Sequence, residues 1–142
     1  RILTLYLWRW APVNPKASIL VVDDDAEALE VSRSILEHFG CEVLLARDGR
    51  AGWDVYRKHA DIIDLVLLDM TMPTMDGVAV LEQIRSVGGD APVVVMTGYT
   101  EEQVKKRFGR VAPTDILAKP FRVETFIQTV QRNLERNSNV HG

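Results

Sequence analysis

The chain has a single cysteine, Cys41. One thiol excludes an internal disulfide, and no Cys/His spacing of the zinc kind accompanies it. The plain readings are a reducing compartment, the cytoplasm, and a small side chain packed inside. No apolar run approaches the roughly 20 residues that span a bilayer, so no membrane insertion of this segment is expected. The opening stretch, RILTLYLWRWAP, is apolar but short, and no small-residue cleavage site follows it, so it does not read as a secretory signal. Basic clusters are scarce as well. The formal charge is −3, and Lys105, Lys106 and Arg107 form the only tight group. Direct nucleic-acid binding usually needs a basic stripe and is not expected here. Neither GxxxxGK[ST] nor GxGxxG occurs, which removes the common nucleotide-phosphate loops.

What is present suffices for one domain with a substantial core: 142 residues, 46% of them hydrophobic. Residues 1–16 differ from the rest. They hold Trp8 and Trp10, then Pro12, Asn14 and Pro15, and read as an extension and linker. The body is expected over 17–137, followed by a polar tail, 138–142. Within the body, short apolar runs alternate with helical patterns. The strand candidates are Ile19–Val22, Cys41–Ala46, Leu65–Leu68, Pro92–Met96 and Ile116–Ala118. The helix candidates are 26–39, 50–59, 77–87, 101–109 and 122–136. Gly40 is placed as a C′ cap, Asp48-Gly49 as a turn, and Gly88-Gly89 as a helix stop. Continuous rather than alternating apolar strands indicate a parallel sheet buried on both faces. Strands alternating with helices imply right-handed crossovers and an α/β, doubly wound (βα)5 three-layer sandwich.

Open α/β sheets bind ligands outside the carboxyl ends of their strands. The residues found there are Asp23, Asp24 and Asp25 after strand 1, Asp69 after strand 3, Thr97 after strand 4 and Lys119 after strand 5. Each has a bland reading when taken alone. An aspartate caps a helix, and Asp25 is the best placed of the three to do so. Asp69 could be a turn residue before Pro73, Thr97 a satisfied loop hydroxyl, and Lys119 a solvated surface lysine. Together they form a coherent set. Clustered carboxylates repel one another unless a cation joins them, and oxygen ligands select a hard ion such as Mg²⁺, with Mn²⁺ as the substitute. A carboxylate can also act as a nucleophile toward phosphorus. Mg²⁺, an ammonium and a hydroxyl are the groups that the equatorial oxygens of a transferring phosphoryl group require.

The segments ILVVDDD, LVLLDMTMPTMDG, VVVMTG and ILAKPF resemble the signature segments of response-regulator receiver domains, in the same order. The resemblance covers about residues 17–136. It implies a flavodoxin-like fold with strand order 2-1-3-4-5 and phosphorylation of Asp69. Asp24 would bind Mg²⁺ directly alongside Asp69, Asp23 would act through water, and Thr71 would contribute its backbone carbonyl. Thr97 and Lys119 would contact the phosphate, and the Lys119–Pro120 bond would be cis. Thr71 and Tyr99 would tune the lifetime of the acyl phosphate. A histidine kinase or histidine phosphotransfer domain would be the donor. A downstream protein would bind the face formed by helix 4, strand 5 and helix 5, to which the Lys105–Arg107 trio belongs.

This sequence departs from the family pattern at Ile116, where receivers commonly carry an aromatic whose ring couples to the threonine. Gly98 replaces a more usual Ala or Ser, and the Gly109–Thr114 segment lacks the familiar Gly-Ala pair. LTLYLW, in the extension, resembles the final strand of histidine-kinase ATP-binding domains. The expected parent is therefore a hybrid sensor kinase, with a stand-alone receiver and a transcription regulator as alternatives. A phosphate-independent scaffold stays open because of Ile116. A phosphohydrolase of the haloacid-dehalogenase type is disfavoured because Thr71 stands where that group needs a second acid. No role is assigned to His38, His59 or His141, and Trp53 is read as a packing residue.

Overall fold

The computed structural model describes residues 16–141, with side chains through Asn137. The expected extension and its kinase-like LTLYLW segment lie outside the described residues, apart from Lys16. Five strands and five helices alternate: β1 (Ser18–Val22), α1 (Ala26–His38), β2 (Glu42–Ala46), α2 (Gly49–His59), β3 (Ile63–Asp69), α3 (Gly77–Ser86), β4 (Val93–Thr97), α4 (Glu101–Phe108), β5 (Asp115–Ala118) and α5 (Val123–His141). The strands form one sheet of order β2-β1-β3-β4-β5, and every pairing is parallel.

Successive strand residues point to opposite faces, and both faces are covered. Leu20, Val22, Val66, Leu68 and Val95 meet one core with Tyr56 of α2, Leu81 and Ile84 of α3, and Val104 and Phe108 of α4. Ile19, Val21, Leu65, Leu67 and Val94 meet the other with Leu29 and Leu36 of α1 and Phe126, Ile127 and Val130 of α5. Burial on both faces is why Ile19–Val22, Leu65–Leu68 and Val93–Met96 read as unbroken apolar runs within β1, β3 and β4. Each fully buried Leu or Ile contributes about 1.5–3 kcal/mol relative to exposure.

The helix ends follow local chemistry. After α1, Gly40 has φ 87°, and the Gly40 and Cys41 amides donate to Glu37 and Leu36, closing a left-handed C-terminal cap. Gly88 does the same after α3, with φ 78°. Two expectations need correction. Asp48-Gly49 is not a free turn: Asp48 is the N-cap of α2, its side chain accepting from the Ala51 amide at 2.8 Å, and Gly49 is the first helical residue. A Cβ on Gly49 would lie 1.6 Å from the Met75 carbonyl oxygen, so the site needs a glycine for close approach, not for a bend. The end of the chain is not a free polar tail either, since α5 continues to His141. Asn and Ser lower helix propensity without stopping a helix, and no Gly or Pro intervenes before Gly142.

Candidate functional site

Parallel pairing brings the carboxyl ends of β1, β3, β4 and β5 to one edge of the sheet. Register then sets which residues face each other there. Val22 pairs with Leu68, Asp69 with Met96, and Thr97 with Ala118. Asp23, Asp69, Thr97 and Lys119 therefore fall at or just past four adjacent strand ends. The loops after β1 and β3 are held by backbone bonds: the Asp23 amide donates to Ala46, Met70 to Met96, and Gly77 to Met70. A Cβ on Gly77 would come within 2.8 Å of the Asp69 carbonyl oxygen, so this glycine lets α3 start directly beneath the cleft.

The three aspartates of the β1–α1 loop divide their work. Asp25 is the N-cap of α1, its Oδ1 accepting from the Glu27 and Ala28 amides at 2.9 and 3.3 Å. Asp23 is buried, and its Oδ1 accepts from the Asp25 amide at 3.0 Å. Asp24 is exposed at the rim. One oxygen each from Asp23, Asp24 and Asp69 lie within 4.8 Å of one another. This donor set is oxygen-only, carboxylate-rich and open to water on the Asp24 side. It fits a hard dication that takes one or two carboxylates and completes its shell with water.

Lys119 reaches into the cluster from β5, its Nζ 3.3 Å from Asp23 Oδ2 and 3.6 Å from Asp69 Oδ1. It is thus not a solvated surface lysine. Its amide donates to the Thr97 carbonyl at 2.8 Å, and the Lys119–Pro120 peptide is cis. Asp69 is only 8% exposed, and burial pushes its carboxyl up to about 6. The Lys119 ammonium and a backbone hydrogen bond from Thr71 pull it down, while the Asp23 charge and the Asp24 side chain push it further up. A cleft of about 270 Å³ opens over Asp69, lined by Thr71, Thr97, Gly98 and Tyr99. Thr97 is buried, and its Oγ1 accepts from the Tyr99 amide at 3.0 Å.

The structure thus brings Asp23, Asp24, Asp69, Thr71, Thr97, Lys119 and Tyr99 together. Ile116 stands apart. It is half-buried beside a separate groove of about 560 Å³ between α4 and β5. The neighbours of Tyr99 were not foreseen: Arg107 of α4 lies over its ring, 5.7 Å from the centroid, and also faces Asp76, the N-cap of α3, at 3.6 Å. A cation and an aromatic eight residues apart across a helix start carry no periodic signal, so no pattern in the chain marks this pair.

Residues 19–131 match the family described as the response regulator receiver domain. The chain is 38% identical over 122 residues to response regulator MprA of Mycolicibacterium vanbaalenii, covering 84% of this chain and 51% of that one. It is 33% identical over 121 residues to transcription factor SKN7 of Candida albicans, covering 85% of this chain and 21% of that one. It therefore spans about half or less of the length of these relatives. Among solved structures, the chemotaxis protein CheY4 of Vibrio cholerae superposes with TM-score 0.76 at 30% identity, covering 83% of this chain and 98% of that one.

Proposed function

We propose, from the premise that this chain belongs to the response regulator receiver domain family, that it accepts a phosphoryl group on Asp69 from a phosphohistidine donor and thereby switches a protein partner. The observation that carries this reading is the buried Asp69 carboxylate, with the Lys119 ammonium 3.6 Å away and two further carboxylates within metal-sharing distance. Asp69 must be ionised to act as a nucleophile, and a carboxyl at about 6 is mostly ionised at neutral pH. An Asp69 oxygen attacks phosphorus, the P–N bond to the donor imidazole breaks, and its electron pair leaves with the imidazole nitrogen, which takes a proton. Lys119 meets charge on the transferring group, and the Thr97 hydroxyl, once turned, donates to a phosphoryl oxygen. Asp24 and Asp69, the Thr71 carbonyl and Asp23 through water would hold Mg²⁺. Bound there, the ion would offset the carboxylate charge and stabilise the phosphoryl oxygens.

Thr71 and Tyr99 flank the cleft and would govern water access, hence the lifetime of the acyl phosphate. No separate substrate is turned over in this scheme; the chain promotes only its own phosphorylation and hydrolysis. The donor is a histidine kinase or histidine phosphotransfer domain, and the output partner meets the α4–β5–α5 face. Among the described residues no helix is long and apolar enough to cross a membrane, and the cytoplasm is the proposed place of action.

Intact mass tests the reading. With Mg²⁺ and acetyl phosphate the chain should gain one phosphoryl group, about 80 Da, as an aspartyl phosphate, and Asp69→Asn should gain none. Labelling that survives Asp69→Asn would place the acceptor elsewhere. A parent that takes up neither phosphate nor beryllofluoride would favour a phosphate-independent scaffold.

A further inference from the structure

Two cavities flank the β4–α4 loop: the cleft over Asp69 and the larger groove between α4 and β5. Among the described residues, Tyr99 alone lines both. Its backbone and its ring are held by different groups. The amide donates to Thr97 Oγ1 at 3.0 Å, the same hydroxyl that the acceptor reading turns toward phosphate. The ring sits under the Arg107 guanidinium, which Asp76 faces from α3. The two Asp76 oxygens have separate tasks, since Oδ1 caps α3 through the Ala79 amide while Oδ2 faces Arg107.

A Thr97 hydroxyl that swings toward a phosphoryl group on Asp69 carries its oxygen away from the Tyr99 amide. The backbone of Tyr99 then loses its acceptor at the moment the cleft fills. The ring has somewhere to go. The α4–β5 groove, of about 560 Å³, has Val104, Phe108 and Ile116 among its lining residues. A ring displaced from its present position weakens its contact with Arg107, now 5.7 Å from the ring centroid.

We infer that Tyr99 is the positioning residue that links the acceptor cleft to the α4–β5 groove, and that Arg107, braced by Asp76, clamps its ring at the cleft while Asp69 is unphosphorylated. The inference rests on the acceptor reading above. Under it, the clamp biases a two-state element, and its removal favours the phosphate-bound arrangement by the free energy of the lost contact. Occupation of the groove by a partner displaces the ring and is felt at Asp69.

Fluorine NMR of the full chain labelled with 3-fluorotyrosine reads the ring directly. The chain has three tyrosines, and the Tyr99 signal is assigned by Tyr99→Phe. The Met70 amide, next to Asp69, reports independently whether the cleft has filled. On addition of Mg²⁺ and beryllofluoride, both the Met70 amide and the Tyr99 resonance should shift. Arg107→Ala should move the resting Tyr99 resonance toward its shifted position and tighten apparent beryllofluoride binding about two- to fivefold. Arg107→Lys should restore much of the resting position, and Asp76→Asn, which keeps the cap oxygen, should fall between. A Met70 shift with an unmoved Tyr99 resonance, or an Arg107→Ala variant indistinguishable from the parent, overturns the clamp and leaves the acceptor reading standing. If neither Met70 nor Tyr99 responds, the acceptor reading fails and takes the clamp with it.

Discussion

Replacing Asp69 with asparagine removes one charge from a cluster in which three carboxylates share a space less than 5 Å across. The metal-free protein should become more stable for it. Burial holds the Asp69 carboxyl at about 6 rather than its ordinary 3.8. That difference, at about 1.4 kcal/mol for each pKa unit, is roughly 3 kcal/mol set against the ionised form in the fold. The sign follows from linkage. A carboxyl raised on folding contributes its full share of stability below its unfolded value near 4, and that share is lost as pH rises through about 6. An asparagine does not titrate, so the advantage of the variant should be small near pH 4 and full near pH 7.5. Part of the 3 kcal/mol is not recovered, because the amide is still buried and Lys119 keeps only Asp23 as its contact at 3.3 Å. A gain of about 1–3 kcal/mol is expected, or several degrees in Tm for a domain of this size. Thermal or urea unfolding in the presence of a chelator, at pH 4, 5.5 and 7.5, measures it. Mg²⁺ should then raise the parent more than the variant at pH 7.5. An Asp69→Asn protein less stable than the parent at pH 7.5, or a difference flat with pH, would refute the reasoning.

Three further outcomes are expected. Asp115 is partly buried, which resists its ionisation, but Asn133 and Arg132 donate to its Oδ2 and hold its carboxyl below the ordinary range; Asp115→Ala should cost about 1–3 kcal/mol in urea unfolding at pH 7, and the contribution, present above about pH 4, should be lost as pH falls below it. Gly49→Ala drives a methyl into the Met75 carbonyl, so its urea midpoint should fall by the equivalent of about 2–3 kcal/mol or more. Burial pushes the Cys41 thiol up to about 11, so alkylation by iodoacetamide at pH 8 should run roughly a hundredfold slower in the native protein than in urea.

Most of the architecture could be read from the chain because the two faces of the sheet impose opposite demands on the same strand. Ile19 and Val21 must suit one core while Leu20 and Val22 suit the other, so after Ser18 the strand is apolar at every position and its run is conspicuous. The acidic and basic strand-end residues were legible for a related reason, since parallel strands bring all their carboxyl ends to one edge of the sheet. Boundaries were less legible. Asp48-Gly49 has the composition of a turn, and only the proximity of Met75, from a loop 26 residues later, reveals that the glycine is there to make room. The Arg107–Tyr99 contact failed to show for the same kind of reason: it depends on the angle at which α4 leaves the β4–α4 loop. Three-dimensional approach of this sort leaves no period in the sequence.

The cleft depends on the sheet as a ruler. Asp69 and Thr97 each end a strand; the pairing of Asp69 with Met96 sets their separation, and the pairing of Thr97 with Ala118 sets Lys119 beside them. Side chains alternate along a strand, so a slip of one residue in either pairing would turn a functional group to the opposite face and bury the wrong set of apolar residues at the same time. Val93, Val94, Val95 and Met96 are all essentially inaccessible, and the cores therefore lock the register that holds Asp69 and Thr97 at the sheet edge. The cost of crowding three carboxylates at this edge is met by the same packing. About 3 kcal/mol of unfavourable charge at Asp69 is small beside the burial of more than ten fully enclosed large side chains at about 1.5–3 kcal/mol each. The unfavourable charge survives in the metal-free fold because the cores can carry it, and it is available to be relieved whenever a cation or a covalent change at Asp69 alters the balance.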